Sequence, residues 1–192
     1  MRTVKTLAVY CGSNFGRGDV FRRSTQTFGH ELAKRGIAVV FGGTHMGLMG
    51  VLADAVLERS GAIHGVIPRG LFERGHLHPR LTTHEIVADI ATRKARMLAM
   101  ADACIALPGG IGTVEEFMEV WTLNQLGDID KPAGLFNIDG FFSPFLAFID
   151  AMVSHGFVPP AHRFSLAVSE DPSTLIDAVI ALPPITVSKW QL

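Results

Sequence analysis

Short apolar runs alternate with segments of helical periodicity along almost the whole chain of 192 residues. Runs this short and this apolar predict buried strands, whereas apolar residues spaced three and four apart predict helices. The predicted strands cover residues 6–10, 37–41, 62–67, 85–88, 103–107, 133–137 and 166–169. This alternation predicts an α/β fold, a single-domain, Rossmann-like open parallel sheet with helices on both faces, formed by residues 1–192.

Helices are predicted between these strands, and one more follows the last strand. The first covers residues 21–36, and the second follows the glycine-rich turn at 41–50 and ends at Arg59. The others cover residues 89–101, 113–126, 142–154 and 173–182. The segment 68–82, rich in proline, glycine and histidine, is predicted to be the least regular part. In folds of this class ligands bind at the carboxyl ends of the strands, so the turns that follow the strands predict one shared crevice.

The composition limits the partners of the chain. Apolar residues make up 48% of it and charged residues 18%, with a mean hydropathy of +0.31, so the surface carries little charge and a second copy of the chain is expected to cover part of it. We therefore expect the chain to form homo-oligomers. The net charge is −1 and no run of lysine and arginine occurs, which argues against nucleic acid and against a membrane surface as partners.

The cysteines and the start of the chain bear on the compartment. Cys11 and Cys104 fall in or beside predicted buried strands, in no spacing typical of a disulfide or a metal site, and are expected to be core thiols. No apolar stretch suits a signal peptide, and none approaches the ~18 residues that a membrane span requires. We expect a cytoplasmic protein.

The segment Pro-Gly-Gly-Ile-Gly-Thr at 108–113 joins a predicted strand directly to a predicted helix. Glycines at 109, 110 and 112 allow the backbone to approach an anion, the positive end of the helix dipole attracts it, and Thr113 offers a hydroxyl. The turn, including Ile111, is therefore predicted to bind a phosphate group. Glu115 and Glu116 follow, expected on the first helical turn, where a carboxylate beside a phosphate requires another purpose.

Two explanations of these glutamates remain open at this point. Thr113 and Glu116 fit a capping box, in which both side chains bond free N–H groups at the start of the helix. Alternatively, Glu116 takes part in chemistry on the rest of the ligand. Glu115, Glu119 and Thr122 share one face of the helix by their spacing.

Other turns after strands offer further candidate contacts. Gly12 and Ser13 follow the first predicted strand, and Gly43 lies in the glycine-rich turn after the second. That turn lacks the spacing and the acidic residue of a dinucleotide-binding loop, which argues against NAD. Its methionines, Met46 and Met49, are expected in the core.

Charged and histidine residues complete the set of candidates. Arg93 and Lys94 lie early in a predicted helix and can reach the crevice, although a solvated basic pair is the plain alternative. His76, His78 and His84 suggest a metal site, but no third ligand has a suitable spacing, so they are expected to be loop histidines. We predict no metal and no cofactor.

Five segments of the chain form a distinctive combination. They are YCGSN at 10–14, GLMG at 47–50, RK at 93–94, PGGIGTVEE at 108–116 and QLGDIDKPAGLFNIDGFF at 125–142. Together they resemble the LONELY GUY family, the cytokinin riboside 5′-monophosphate phosphoribohydrolases, often labelled lysine decarboxylases. The resemblance extends to about His162, and its specific motif is PGGIGTVEE.

The resemblance implies an enzyme, homodimeric or larger, that cleaves the N-glycosidic bond of an adenosine-type 5′-monophosphate, a small-molecule nucleotide substrate. It implies that Gly110, Gly112 and Thr113 hold the phosphate and that Arg93 and Glu116 form the catalytic pair. The remaining implied site residues are Glu115, Lys94 and Thr122. Independently, N-glycosidic cleavage builds positive charge on the ribose, which gives a carboxylate such as Glu116 a purpose.

The chain departs from the family pattern at three positions. Ala91 replaces a histidine, Thr44 replaces a glycine, and Gly75 stands where the family has a glutamate. These departures keep open a second function of another class, a non-hydrolytic carrier of a phosphorylated pterin or nucleotide, like the molybdenum-cofactor carriers that share this fold.

Overall fold

A single parallel sheet of seven strands runs through the structure, a computed structural model that describes residues 2–190. The strands lie in the order β4-β3-β2-β1-β5-β6-β7, and every neighbouring pair is parallel. Their bounds are β1 Thr6–Tyr10, β2 Ala38–Phe41, β3 Ile63–Pro68, β4 Thr83–Val87, β5 Ala103–Ala106, β6 Ala133–Phe136 and β7 Leu166–Ser169. The predicted open parallel sheet is confirmed.

Helices connect successive strands, and a last one follows β7. Their bounds are α1 Val20–Lys34, α2 Gly47–Glu58, α3 Arg69–Glu73, α4 Ile90–Met100, α5 Ile111–Leu126, α6 Ser143–Ser154, α7 Pro160–Arg163 and α8 Pro172–Ala181. The short helices α3 and α7 were not predicted, because four or five residues are too few to show a helical apolar period. Helix α3 lies in the segment that was predicted to be irregular.

Side chains alternate between the two faces of the sheet, and helices cover both. On β1, Leu7 and Val9 point to the face covered by α1, α2 and α8, whereas Ala8 and Tyr10 point to the face covered by α4, α5 and α6. Cys11 and Cys104 are buried on opposite faces and are free thiols, as predicted. Burial raises the pKa of Cys104 to about 12.

The direction of winding changes between β1 and β5. From β1 the chain proceeds outward through β2, β3 and β4, then returns to place β5 on the other side of β1. The connections that leave β1 and β5 therefore run to opposite faces, and a crevice opens between them at the carboxyl ends. The Gly12 amide donates to the Pro108 carbonyl oxygen at 3.0 Å and joins the two turns.

Within residues 2–190, no helix combines the length and the apolar character required to cross a membrane.

Candidate active site

A cavity of about 490 Å³ lies at the carboxyl ends of β1, β2, β3 and β5, where the turn sequences predicted a crevice. The turn after β1 contributes Gly12 and Ser13 to its wall, and the start of α5 contributes residues 110–113. The side chains that bring titratable groups to the wall are those of Tyr10, Cys11, His76, Arg93 and Glu116. The cavity thus joins the candidate anion site to charged residues from two helices.

The anion site is built from bare backbone at the start of α5. The helix begins at Ile111 after an extended Gly110, and a Cβ added at Gly110 or Gly112 would meet open space. Gly109 allows Thr113 and the turn after β1 to pack closely against it, because a Cβ there would lie 2.1 Å from Thr113 Oγ1 and 2.8 Å from the Gly12 nitrogen. Glycine amides and the helix dipole together suit a phosphate group.

The capping box at this helix start is not formed. Because α5 begins two residues earlier than predicted, Thr113 and Glu116 occupy its third and sixth positions, and Glu116 lies on the second turn rather than the first. The cap residue is Gly110, with no side-chain cap bond. The Glu116 carboxylate instead accepts a hydrogen bond from Arg93.

Arg93 and Glu116 form an ion pair in the wall of the cavity. Asp89 caps α4 by accepting a 2.7 Å bond from the Thr92 amide, which fixes the helix start that carries Arg93. The guanidinium Nη2 donates to Glu116 Oε1, and the side chains are 13% and 9% exposed. A Cβ at Gly42 would lie 3.1 Å from Arg93 Nη1, so a larger residue there would press on this group.

Burial sets the proton affinity of Glu116. Loss of water around the carboxyl raises its pKa above the ordinary value, and Arg93 opposes that rise without cancelling it. The carboxylate is therefore a better proton acceptor than a solvated glutamate. A carboxylate of raised basicity beside a fixed positive charge is suited to general base catalysis.

Lys94 makes a second ionic cluster outside the cavity wall. Its ammonium group contacts Glu115 and lies 2.5 Å from Glu119 Oε2. These carboxylates are 51% and 41% exposed, and their bonds to Lys94 raise its pKa. Thr122 also lies outside the wall. The binding roles predicted for Lys94, Glu115 and Thr122 stay predictions.

Gly43 does not line the cavity either. Its φ is +78°, and a Cβ there would lie 3.2 Å from Ile67 Cβ and 3.4 Å from Gly65 Cα, so it packs against β3. Gly42 and Thr44 on either side reach the cavity instead. Its predicted contact with substrate stays a prediction.

Sequence reasoning missed several cavity residues. Met46 and Met49 were expected in the core, and this was wrong for Met46, which is 39% exposed and lines the cavity, whereas Met49 packs against the core and lines the cavity as well. Their place in a turn after a strand was the available signal. The other missed wall residues include Tyr10, Leu71, His76 and Met97. Among the described residues, no three histidine, cysteine, aspartate or glutamate side chains are grouped to hold a metal ion.

The chain matches a known family and its curated members. The family model described as "Possible lysine decarboxylase" matches residues 49–179. The "Probable cytokinin riboside 5′-monophosphate phosphoribohydrolase LOGL2" of Oryza sativa subsp. japonica is 37% identical over 98% of this chain and 79% of that protein. The Arabidopsis thaliana phosphoribohydrolase LOG5 is 37% identical over 98% and 85%. The Oryza sativa subsp. japonica enzyme LOG is 46% identical over 80% and 64%.

Solved structures match the fold with much lower sequence identity. The Moco carrier protein from Chlamydomonas reinhardtii has a TM-score of 0.71 at 17% identity, covering 94% of this chain and 98% of that one. The molybdenum cofactor binding protein from Rippkaea orientalis has a TM-score of 0.70 at 16% identity, covering 93% and 97%. At these identities the likeness concerns the fold alone. The family model and the curated relatives are decisive, and the chain belongs to the LONELY GUY (LOG) family.

Proposed function

We propose that this chain hydrolyses the N-glycosidic bond of AMP or of N6-substituted adenosine 5′-monophosphates, releasing the free base and ribose 5-phosphate. The observation that carries the proposal is the Arg93–Glu116 pair, which lines the same cavity as the glycine turn at 110–113. An anion grip and a buried acid–base pair in one cavity suit a phosphorylated substrate that undergoes hydrolysis. The names of the curated relatives support the same chemistry.

The order of the strands supplies a direction for the substrate. The cavity wall passes from the start of α5, after β5, to the turns after β1 and β2 and then to Leu71 and His76 after β3. Neighbouring strands lie about 4.8 Å apart, so β5 to β3 spans about 14 Å. With the phosphate at α5, the ribose lies near Arg93 and Glu116, and the base lies at the β2–β3 end.

The chemistry assigned to Glu116 follows from this placement. As the C1′–N bond of the substrate breaks, positive charge develops on the ribose ring, and the carboxylate stabilises it. Its raised pKa also favours removal of a proton from the attacking water. Arg93 holds the carboxylate in position, and the glycine turn anchors the phosphate so that C1′ stays beside Glu116.

The test is incubation of the purified protein with AMP and with isopentenyl-AMP, followed by chromatography for base and ribose 5-phosphate. We expect both products, and their loss in Glu116→Ala and Arg93→Ala. Tight binding of a phosphorylated pterin without base release from any purine monophosphate would contradict the proposal and favour the carrier function.

We also propose that the chain acts as a homodimer in the cytoplasm. Large apolar side chains stay exposed at helix ends, in the middle of α6 and in the connecting segments, among them Ile90, Leu126, Phe148, Phe157 and Phe164. Together with the low charge of the chain, they support a surface covered by a second copy. Two buried, free thiols support a reducing compartment. Light scattering that gives the mass of one chain would contradict the dimer.

A further inference from the structure

His76 lies in the wall of the cavity at the end assigned to the base. It follows α3, on the same side as Leu71, and stands across the cavity from the start of α5. His76 lies outside the motifs that carry the family resemblance. The segment 68–82 was expected to contribute to the crevice, but His76 itself was expected to be only a loop histidine.

Hydrogen bonds hold the backbone of this loop, and among residues 2–190 no side-chain hydrogen bond involves the His76 imidazole. The His76 amide donates to the Leu71 carbonyl oxygen at 3.1 Å. Its own carbonyl oxygen accepts from the His45 amide at 3.1 Å, and His45 Nδ1 lies at the same distance from it. A bridge between Thr44 and Leu77 fixes the loop further. A side chain on a fixed backbone keeps its distance to a bound ligand.

The cavity contains few groups that can deliver a proton. Burial raises the pKa of Tyr10 and of Cys11, so both hold their protons tightly. Arg93 is a permanent cation, and Glu116 serves the water side of the reaction. An imidazole is the side chain that both gains and loses a proton near neutral pH. His76 brings one to the base end of the cavity.

We propose that His76 is a further catalytic residue of the hydrolysis proposed above, the general acid that protonates the departing purine. The C1′–N9 bond breaks and its electron pair goes to the base, which takes a proton from the imidazolium of His76 at a ring nitrogen. The oxygen of water bonds to C1′, and Glu116 takes the water's proton. Exchange with solvent then restores both side chains.

The test compares two leaving groups with His76→Asn and His76→Gln. Purine release requires a proton, whereas nitrophenolate, released from 4-nitrophenyl riboside 5′-phosphate, leaves without one. With AMP, we expect both variants to lose about 100- to 10,000-fold in kcat, the usual contribution of a general acid. With the nitrophenyl substrate, we expect them to match the unsubstituted protein.

The pH profile provides a second readout. In the unsubstituted protein kcat for AMP is expected to fall as pH rises and the imidazolium loses its proton, and His76→Asn is expected to remove that fall. Other titratable groups on the surrounding elements can also contribute to the profile. They are Glu73 and Arg74 beside the loop, His45 before α2, Asp54 on α2, His78 and Arg80 after His76, and Arg93 and Glu116 across the cavity.

The matched control is His84→Asn, which replaces an exposed histidine on β4. This variant is expected to leave the pH profile unchanged.

The outcomes are distinct. Equal losses on both substrates would assign His76 a merely structural role and overturn the proposal, as would full AMP turnover by the two variants. Absence of turnover of both substrates by the unsubstituted protein would contradict the proposed hydrolase itself, and the role of His76 would fall with it. A thermal melt of each variant confirms that it is folded.

Discussion

Two ionic clusters join the same pair of helices, and they differ in almost everything except sequence position. Arg93 with Glu116 is buried in the cavity wall, whereas Lys94 with Glu115 lies outside it. Each cluster uses one residue of the adjacent Arg-Lys pair and one of the adjacent Glu-Glu pair. Neighbouring residues on a helix point about 100° apart, so one member of each pair faces the cavity and the other faces away.

The difference teaches that burial of the carboxylates separates the two clusters, since the Arg93 and Lys94 side chains are similarly buried at 13% and 17% exposed. The Glu116 side chain is 9% exposed and that of Glu115 is 51% exposed. In the buried cluster, water cannot screen the charges, so the pair acts strongly on whatever the cavity binds. In the exposed cluster, solvent screens most of the interaction. We therefore expect the first cluster to control catalysis and the second to adjust stability slightly.

Among substitutions of the two cations, the larger effect is expected from Arg93→Ala. Loss of the fixed positive charge leaves Glu116 without its partner and is expected to reduce kcat for AMP by about 100- to 1,000-fold, the range seen when one charge-stabilising donor is removed. Lys94→Ala is the matched control, one residue further along α4, and is expected to lose far less. Steady-state release of adenine measures both. Equal losses would show that the two clusters do not differ as proposed.

Gly42→Ala tests the packing behind the buried pair. The new methyl group would lie 3.1 Å from both Arg93 Nη1 and Met49 Sδ, so the guanidinium must shift. Displacement of a catalytic group by a fraction of an ångström to 1 Å is expected to lower kcat by about 10- to 100-fold. Gly70→Ala, where a Cβ meets open space, is the control. Unchanged turnover in Gly42→Ala would show that the position of the guanidinium is not critical.

The pH dependence of stability distinguishes the clusters without any substrate. Burial raises the pKa of Glu116 above its ordinary value of 4.5, so the folded state binds that proton more tightly than the unfolded chain. The contribution of Glu116 to stability is therefore full below pH 4.5 and is lost as the pH rises through the folded-state pKa. As the pH rises over this range, the unsubstituted protein should therefore lose stability relative to Glu116→Gln. Denaturant unfolding measures the two free energies of unfolding. If the free energies of unfolding of the two proteins changed in parallel with pH, the claim that the Glu116 carboxyl is buried and desolvated would be contradicted.

The smallest effect is expected at the exposed cluster. Lys94→Met is expected to lower the free energy of unfolding by at most about 1 kcal/mol, the usual worth of a surface ion pair. High salt should erase most of that difference, because it screens exposed charges. Denaturant unfolding at low and high salt measures it. A larger loss that persists at high salt would show that solvent does not screen the ion pairs of Lys94 and would contradict this expectation.

The sequence was sufficient to predict the sheet but not the ends of all its helices. Apolar runs marked the strands that are buried on both faces, because such strands exclude polar residues, whereas β4 at the sheet edge keeps Thr83 and His84 exposed and was predicted to begin at 85 rather than 83. Helix α8 begins at Pro172, next to the predicted start at 173, and Asp171 caps it by accepting a 2.7 Å bond from the Thr174 amide. At α5 the capping-box signal failed, since the helix begins at Ile111 rather than at Thr113.

The site residues also divide into those that the sequence predicts and those that it does not. The glycine turn could be predicted, because its requirement for bare backbone is local. Whether Glu116 caps its own helix or meets Arg93 depends on a contact between residues 23 positions apart, which the T-x-x-E spacing does not contain. The side chains of Met46, Met49 and His76 reach the cavity through the arrangement of β2 and β3, of which the sequence shows only that these residues lie in segments that follow strands.

The most direct test of the central claim compares two neighbouring glutamates in one assay. Glu116→Gln and Glu115→Gln are incubated with AMP beside the unsubstituted protein, and adenine and ribose 5-phosphate are measured by chromatography. We predict that Glu116→Gln releases almost no adenine, whereas Glu115→Gln retains most of the turnover. Adenine release by Glu116→Gln at the unsubstituted rate, or equal losses in the two variants, would contradict the assignment of catalysis to the buried pair.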